Sequence, residues 1–194
     1  MQDNKYRKES TSGTTLVELV VAFALAAVFM TAAVALISPF TNVYLRVVNM
    51  NRIHNISNVV MEKVVNELAF AGASNSTKIL LKEETGAKEG YRSAIEYSDY
   101  TGSRVTMNTQ DGELVLTYAP TEIEPKEIVW QFGTDFYQGN KVELAFQHRD
   151  NTNQIKIYLK VYSGKNEKAY FQTTETYVEC VDVDSGDIMI QGKP

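Results

Sequence analysis

Between positions 19 and 37 the chain carries one polar side chain, Thr31, and no charge. About 20 residues of that kind, at 1.5 Å of helical rise each, cross the hydrocarbon core of a bilayer. The pattern predicts a transmembrane helix, with positions 14–17 lengthening its front end. Beyond it the period changes. Val43, Val47, Met50, Ile53, Ile56, Val60, Val64, Leu68 and Ala71 recur in steps of three and four, which marks one apolar stripe on an amphipathic helix. Asn42, Arg46, Asn51, Arg52, Asn55, Asn58, Glu62, Lys63 and Glu67 occupy its other faces. The two segments meet at Ser38-Pro39, where proline removes a helical hydrogen bond and crowds the preceding turn. A continuous kinked helix and a break into two helices both satisfy that sequence. Gly72 and the polar run Ser74-Asn75-Ser76-Thr77 end the pattern.

After the polar run the period falls to two. Positions 104–110 and 113–118 flank Asp111-Gly112 and read as a hairpin, because Asp-Gly supplies the positive φ angles of a tight turn. Positions 127–132 alternate Ile128, Trp130 and Phe132, and positions 141–147 alternate Val142, Leu144 and Phe146 after a Gly139-Asn140 turn. Positions 154–162 give the clearest strand. Ile155, Ile157, Leu159 and Val161 share one face, and Lys156, Tyr158, Lys160 and Tyr162 the other. Ser163-Gly164-Lys165-Asn166 turns into 168–179, and a last hairpin, 181–184 with 187–190, is expected over Ser185-Gly186. Strands joined by short turns with no helix between them favour an antiparallel meander, its apolar face covered by Val60, Val64 and Leu68. The expected fold class is α+β, a long N-terminal kinked helix, transmembrane and then amphipathic, packed on an antiparallel β-sheet head.

Charge orients the apolar helix. Lys5, Arg7 and Lys8 precede it against Asp3 and Glu9. Positive charge before a first membrane helix keeps that end cytoplasmic, so the residues after Ile37 are expected outside, on a single-pass anchor. Glu18, at the helix front, is the anomaly, since a carboxylate at the centre of a membrane helix costs about 2.5–3.5 kcal/mol or more. Three readings compete. A cleaved secretory signal finds small residues in Ala33-Val34-Ala35, but Glu18 interrupts its apolar region and the run is longer than a signal needs. A plain uncleaved anchor makes Glu18 incidental, its carboxylate reaching back to the headgroups. In the third reading Glu18 works together with Gly13.

The run Gly13-Thr14-Thr15-Leu16-Val17-Glu18-Leu19-Val20-Val21 resembles the class III leader of type IV prepilins and pseudopilins: a short basic head ending in Gly, then Phe-Thr-Leu-(Ile/Val)-Glu and an apolar helix. Thr14 stands where the family has Phe. The resemblance implies that a prepilin peptidase cuts between Gly13 and Thr14, and that the new Thr14 amine is a candidate for N-methylation. It also implies that Glu18 of an incoming subunit pairs with the Thr14 amine of a neighbour during assembly. A buried ion pair costs roughly 3–5 kcal/mol to break by removing one partner, so a pair that forms at one axial stagger sets register. The segment Glu67-Leu68-Ala69-Phe70-Ala71-Gly72 and the long run of strands resemble the larger minor subunits, the J-type pseudopilins and W-type minor pilins. The boundaries that follow are a leader 1–13, a membrane and assembly helix 14–37, an amphipathic helix 38–72 and a β-rich head 73–194. The implied partners are other pilin or pseudopilin subunits, the peptidase, the cytoplasmic membrane and the assembly machinery. The implied destination is a cell-surface pilus or an envelope filament serving competence or secretion.

The formal net charge is −5, with no basic patch beyond the N-terminal head, so no direct nucleic-acid partner is expected. Cys180 is the single cysteine, which excludes an intrachain disulfide and is expected to be buried and inert. His54 and His148 lie far apart in the sequence, no catalytic constellation is visible, and neither an enzymatic role nor a cofactor is expected. Asp182-Val183-Asp184-Ser185-Gly186-Asp187 suggests calcium spacing, but Gly186 falls where a calcium loop needs an oxygen ligand, so a turn is the expected reading and no metal site is assigned. Tyr158, Tyr162, Tyr170 and Tyr177 beside lysines are expected to pack against neighbouring side chains. The alternative to a filament subunit is a membrane-anchored extracytoplasmic β-domain that binds a ligand.

Overall fold

The computed structural model describes residues 15–72, 78–83, 88–122, 124–165, 167, 170–181 and 183–191. They fall into two compact units, one ending at Val47 and one beginning at Val48. Helix α1 (Leu16–Ala69) is continuous and contains Pro39, so of the two outcomes open in the sequence the break does not occur. The Thr41 hydroxyl donates to the Ile37 carbonyl at 2.9 Å, one turn back along the helix and close to the proline.

In the first unit α1 is apolar and uncovered. Its leading stretch has a mean hydropathy of 2.7 with none of it buried, and is long and apolar enough to cross a membrane. In the second unit the stripe read from the sequence is covered only from Ile53 onward. Ile53, Ile56, Val60, Val64 and Leu68 are buried, whereas Met50 is exposed, as are Val43 and Val47 in the first unit. Helix α1 ends at Ala69, short of Gly72, whose backbone N–H bonds the Ser98 carbonyl at 2.9 Å.

Among its described residues the head holds two sheets where the sequence predicted one meander. The first contains β1 (Ile79–Lys82), β2 (Ala94–Ser98), β3 (Arg104–Gln110), β4 (Glu113–Tyr118), β5 (Ile128–Gln131) and β9 (Ile188–Ile190), in the order β5-β4-β3-β2-β1-β9. The second contains β6 (Asn140–His148), β7 (Gln154–Ser163) and β8 (Phe171–Glu179), in chain order. Between them a one-turn helix, α2 (Thr134–Tyr137), ends in left-handed backbone at Gln138. Alternation tells which side chains point inward, but it is silent about which strand pairs with which, and so the division was hidden. The positive-φ pair after α2 is Gln138 and Gly139, and Asn140 already belongs to β6, which corrects the predicted Gly139-Asn140 turn.

Among the described residues the predicted last hairpin does not form. Residues Ser185–Asp187 make a 3-10 turn, and β9 runs parallel to β1, with Ile188 opposite Ile79 and Ile190 opposite Leu81. A two-stranded hairpin is marginal alone in water, whereas pairing on β1 buries Ile188 against an existing core. By contrast the β3–β4 hairpin forms as expected, with φ of 54° at Asp111 and 87° at Gly112. The Gly112 carbonyl also accepts the Val142 N–H at 2.7 Å, a direct link between the two sheets.

The core follows from register. Leu81, Ile95, Met107, Leu116 and Trp130 lie opposite one another across five strands. That row joins Val142, Leu144 and Phe146 of β6, the Ile155–Val161 face of β7 and the buried stripe of α1 in one cluster. Polar links pin the helix at its edges. Tyr97 donates to Glu67 Oε2 at 3.1 Å, Lys63 lies 4.5 Å from the Trp130 ring centre, and Ser57 Oγ meets Thr174 Oγ1 at 3.1 Å. Burial, with the Glu67 carboxylate second, pushes the Tyr97 phenol far above its ordinary range. The head is therefore α+β, a long N-terminal helix whose second part packs on largely antiparallel sheet.

Candidate functional site

The positions singled out in the sequence cluster at the front of α1. Gly13 and Thr14 lie outside the described residues. Glu18 is described, and its carboxylate turns back on the helix start. Thr15 donates to Glu18 Oε2 from its backbone N–H at 2.8 Å and from its hydroxyl at 3.1 Å, while the Glu18 N–H donates to Thr15 Oγ1 at 3.3 Å. This is a capping box, in which two N–H groups that the first helical turn leaves without partners are satisfied reciprocally. Sequence reasoning gave Glu18 an intermolecular role and missed this intramolecular one. The signal was present as Thr15-x-x-Glu18 ahead of an apolar run.

Further along the same unit, Ala27, Val28, Thr31, Ala32 and Ala35 line a shallow hollow of about 460 Å³ on the helix surface. Ala27, Thr31 and Ala35 stand one helical turn apart, and the Thr31 hydroxyl is folded onto the Ala27 carbonyl at 2.8 Å. Small residues at that spacing allow a second helix backbone to approach closely in lipid, where van der Waals packing replaces the hydrophobic effect as the driving force.

On the head, His54 contacts Gln172 Oε1 at 3.3 Å and Asn58 Nδ2 at 3.1 Å, whereas His148 Nε2 meets the Thr152 carbonyl at 2.8 Å. Each histidine thus has its own local partners. Cys180 is fully buried, and burial, with Glu179 second, pushes its thiol up to about 11, which suppresses the reactive thiolate. Asp182 lies outside the described residues, and among those described no group of three or more His, Cys, Asp or Glu side chains is placed to hold a metal ion.

The tyrosine–lysine face of β7 and β8 is knitted together. Lys88 sits 4.2 Å from the Tyr158 ring centre and 5.0 Å from that of Tyr91, and the two rings lie 5.8 Å apart. Tyr162 is covered by Lys160 at 5.0 Å, Tyr177 is flanked by Arg149 at 5.7 Å and Lys156 at 5.8 Å, and Tyr170 packs against the core. At the centre Glu175 accepts from Lys156 at 2.7 Å and Lys88 at 3.0 Å. Those bonds, Lys156 first, hold its carboxyl down to about 2 from an ordinary 4.5. A carboxyl whose pKa falls on folding stabilises the native state above its unfolded pKa, and that contribution fades as pH drops from about 4.5 toward 2. Urea midpoints recorded from pH 6 to pH 3 are expected to fall more steeply for the native chain than for Glu175→Gln. Added salt should narrow the gap, because the pair is partly exposed.

Comparison of the chain with protein-family models, curated proteins and solved structures finds no match in any of the three.

Proposed function

We propose that this chain is a minor type IV pilin-like, or pseudopilin, structural subunit. It is made as a precursor held in the cytoplasmic membrane with its head outside, cut after Gly13 by a prepilin peptidase and drawn into an extracellular or envelope-spanning filament. The observation that carries the proposal is α1: a single helix, apolar and uncovered in front, with the stripe from Ile53 to Leu68 buried in a β-rich head. Such a helix suits packing against copies of itself on leaving the bilayer, and the Ala27-Thr31-Ala35 stripe supplies a face for close approach.

Glu18 has two successive tasks in this scheme. In the membrane-held precursor its carboxylate closes the capping box with Thr15. In the filament it pairs with the Thr14 amine of a neighbour, neutralising charge that the apolar surroundings would otherwise penalise. The chain acts by assembly and display, with no chemistry of its own. Shearing of cells that carry a pilin assembly machine is expected to release the chain together with filament subunits. Retention of all of it in the membrane fraction would count against the proposal.

A further inference from the structure

Three pieces of backbone converge in the second unit around a hollow of about 310 Å³. Helix α1 contributes Asn49, Arg52 and Ile53, the turn after α2 contributes Gln138 and Gly139, the start of β6 contributes Asn140, and the end of β7 and the turn beyond it contribute Ser163 and Lys165, with Tyr170 completing the wall. Two glycines let the turns beside the hollow come together. Gly139 has a φ of 80°, and the Gly164 N–H donates to the Gly139 carbonyl at 3.1 Å. A Cβ on Gly164 would stand 2.7 Å from that carbonyl oxygen, so the two turns approach as closely as they do because position 164 has no side chain.

The lining is rich in donors. Arg52 brings five N–H groups, Lys165 three, and the amides of Asn49 and Gln138 and the Ser163 hydroxyl add more. Asn140 is committed, its amide donating to the Tyr137 carbonyl at 2.8 Å. No carboxylate is among the described residues of the lining. Elsewhere in the head Lys63, Lys82, Lys88, Arg104, Lys156 and Lys160 each contact a glutamate, whereas Lys141 and Arg149 make no such contact among the described residues. Arg52 and Lys165 have no such partner among the described residues, although the chain as a whole carries a net charge of −5. Two unneutralised cations facing a concave, donor-lined space in an acidic protein call for an anion. The volume is larger than a bare phosphate needs and fits a monosaccharide-sized body. We propose that this hollow binds a small anionic solute of that size, carrying a phosphate or carboxylate group that Arg52 and Lys165 grip through charge-assisted hydrogen bonds.

The site is independent of filament assembly, and a chain never cut at Gly13 would still bind. The test is titration of the full chain in detergent micelles with glucose 6-phosphate, glucuronate and inorganic phosphate, with glucose as the neutral control, followed by calorimetry or by shift of the thermal midpoint. Saturable binding of at least one of the anions is expected, weakened about tenfold or more by Arg52→Gln and by Lys165→Gln and less by Arg52→Lys, which keeps the charge but loses the guanidinium fork. Both positions are exposed, and unchanged urea midpoints will verify that the variants fold. Glucose 6-phosphate and glucuronate together separate the phosphate from the carboxylate source. Equal binding of glucose, binding indifferent to both Gln variants, or no saturation by any anion up to about 10 mM, tenfold above a millimolar Kd, would overturn the assignment.

Discussion

Glu18→Gln and Glu18→Val will both insert in the membrane, and both will be lost from sheared filaments. The pairing of the two substitutions gives the experiment its force. Glutamine keeps an amide oxygen that can accept from the Thr15 N–H, and Gln serves at this position of a capping box as Glu does. Were capping the whole role of Glu18, Glu18→Gln would assemble normally and only Glu18→Val would weaken the helix start, by about 1 kcal/mol. A docking role needs charge, and both substitutions remove it. Leaving a buried Thr14 amine without its carboxylate costs roughly 3–5 kcal/mol, so incorporation should fall at least about a hundredfold in either variant. Quantitative immunoblots of sheared material against membrane fractions read the ratio. A Glu18→Gln chain recovered in filaments at native yield would reduce Glu18 to its local hydrogen bonds.

The second large effect is expected inside the head. Ile53→Ala should destabilise it by about 2–5 kcal/mol, the usual cost of truncating a fully buried aliphatic side chain and leaving a cavity. Met50→Ala, one helical turn earlier on the same stripe, should change stability by no more than about 0.5 kcal/mol, because Met50 is exposed. Urea unfolding followed by the fluorescence of Trp130, the single tryptophan, reads both, since its ring packs against the core that Ile53 helps to fill. Equal losses at the two positions would mean that the stripe is covered well before Ile53.

That contrast shows what the sequence could and could not say. Val43, Val47, Met50 and Ile53 follow one another in steps of three or four, so periodicity marks one stripe, whereas its burial depends on where the head begins to cover it. Local signals were legible: Asp111-Gly112 formed its turn, and Ile155, Ile157, Leu159 and Val161 all face the core. Non-local pairing was not. The apolar residues of β9 suited a hairpin as well as a parallel partner, and the outcome rested on the apolar edge of β1, a strand too short to announce itself at four residues. Strand β2 was hidden for another reason. No strand was read at positions 94–98, where a glutamate and a serine interrupt the apolar residues, yet all five residues are buried, including Glu96, which is held between Lys82 and Arg104. Of the candidate site, Glu18 could be found from its oddity in an apolar helix and Thr15 from its spacing. Arg52 and Lys165 are separated by more than a hundred positions and meet only through the fold.

Everything proposed for the N-terminal helix depends on the chain being processed as a prepilin. Intact-mass measurement of the protein recovered from its own membranes, with sequencing of the terminal peptide, tests this most directly. The expected mature chain begins at Thr14, with or without an added methyl group. A chain that retains Met1, or one released after Ala35, would contradict it.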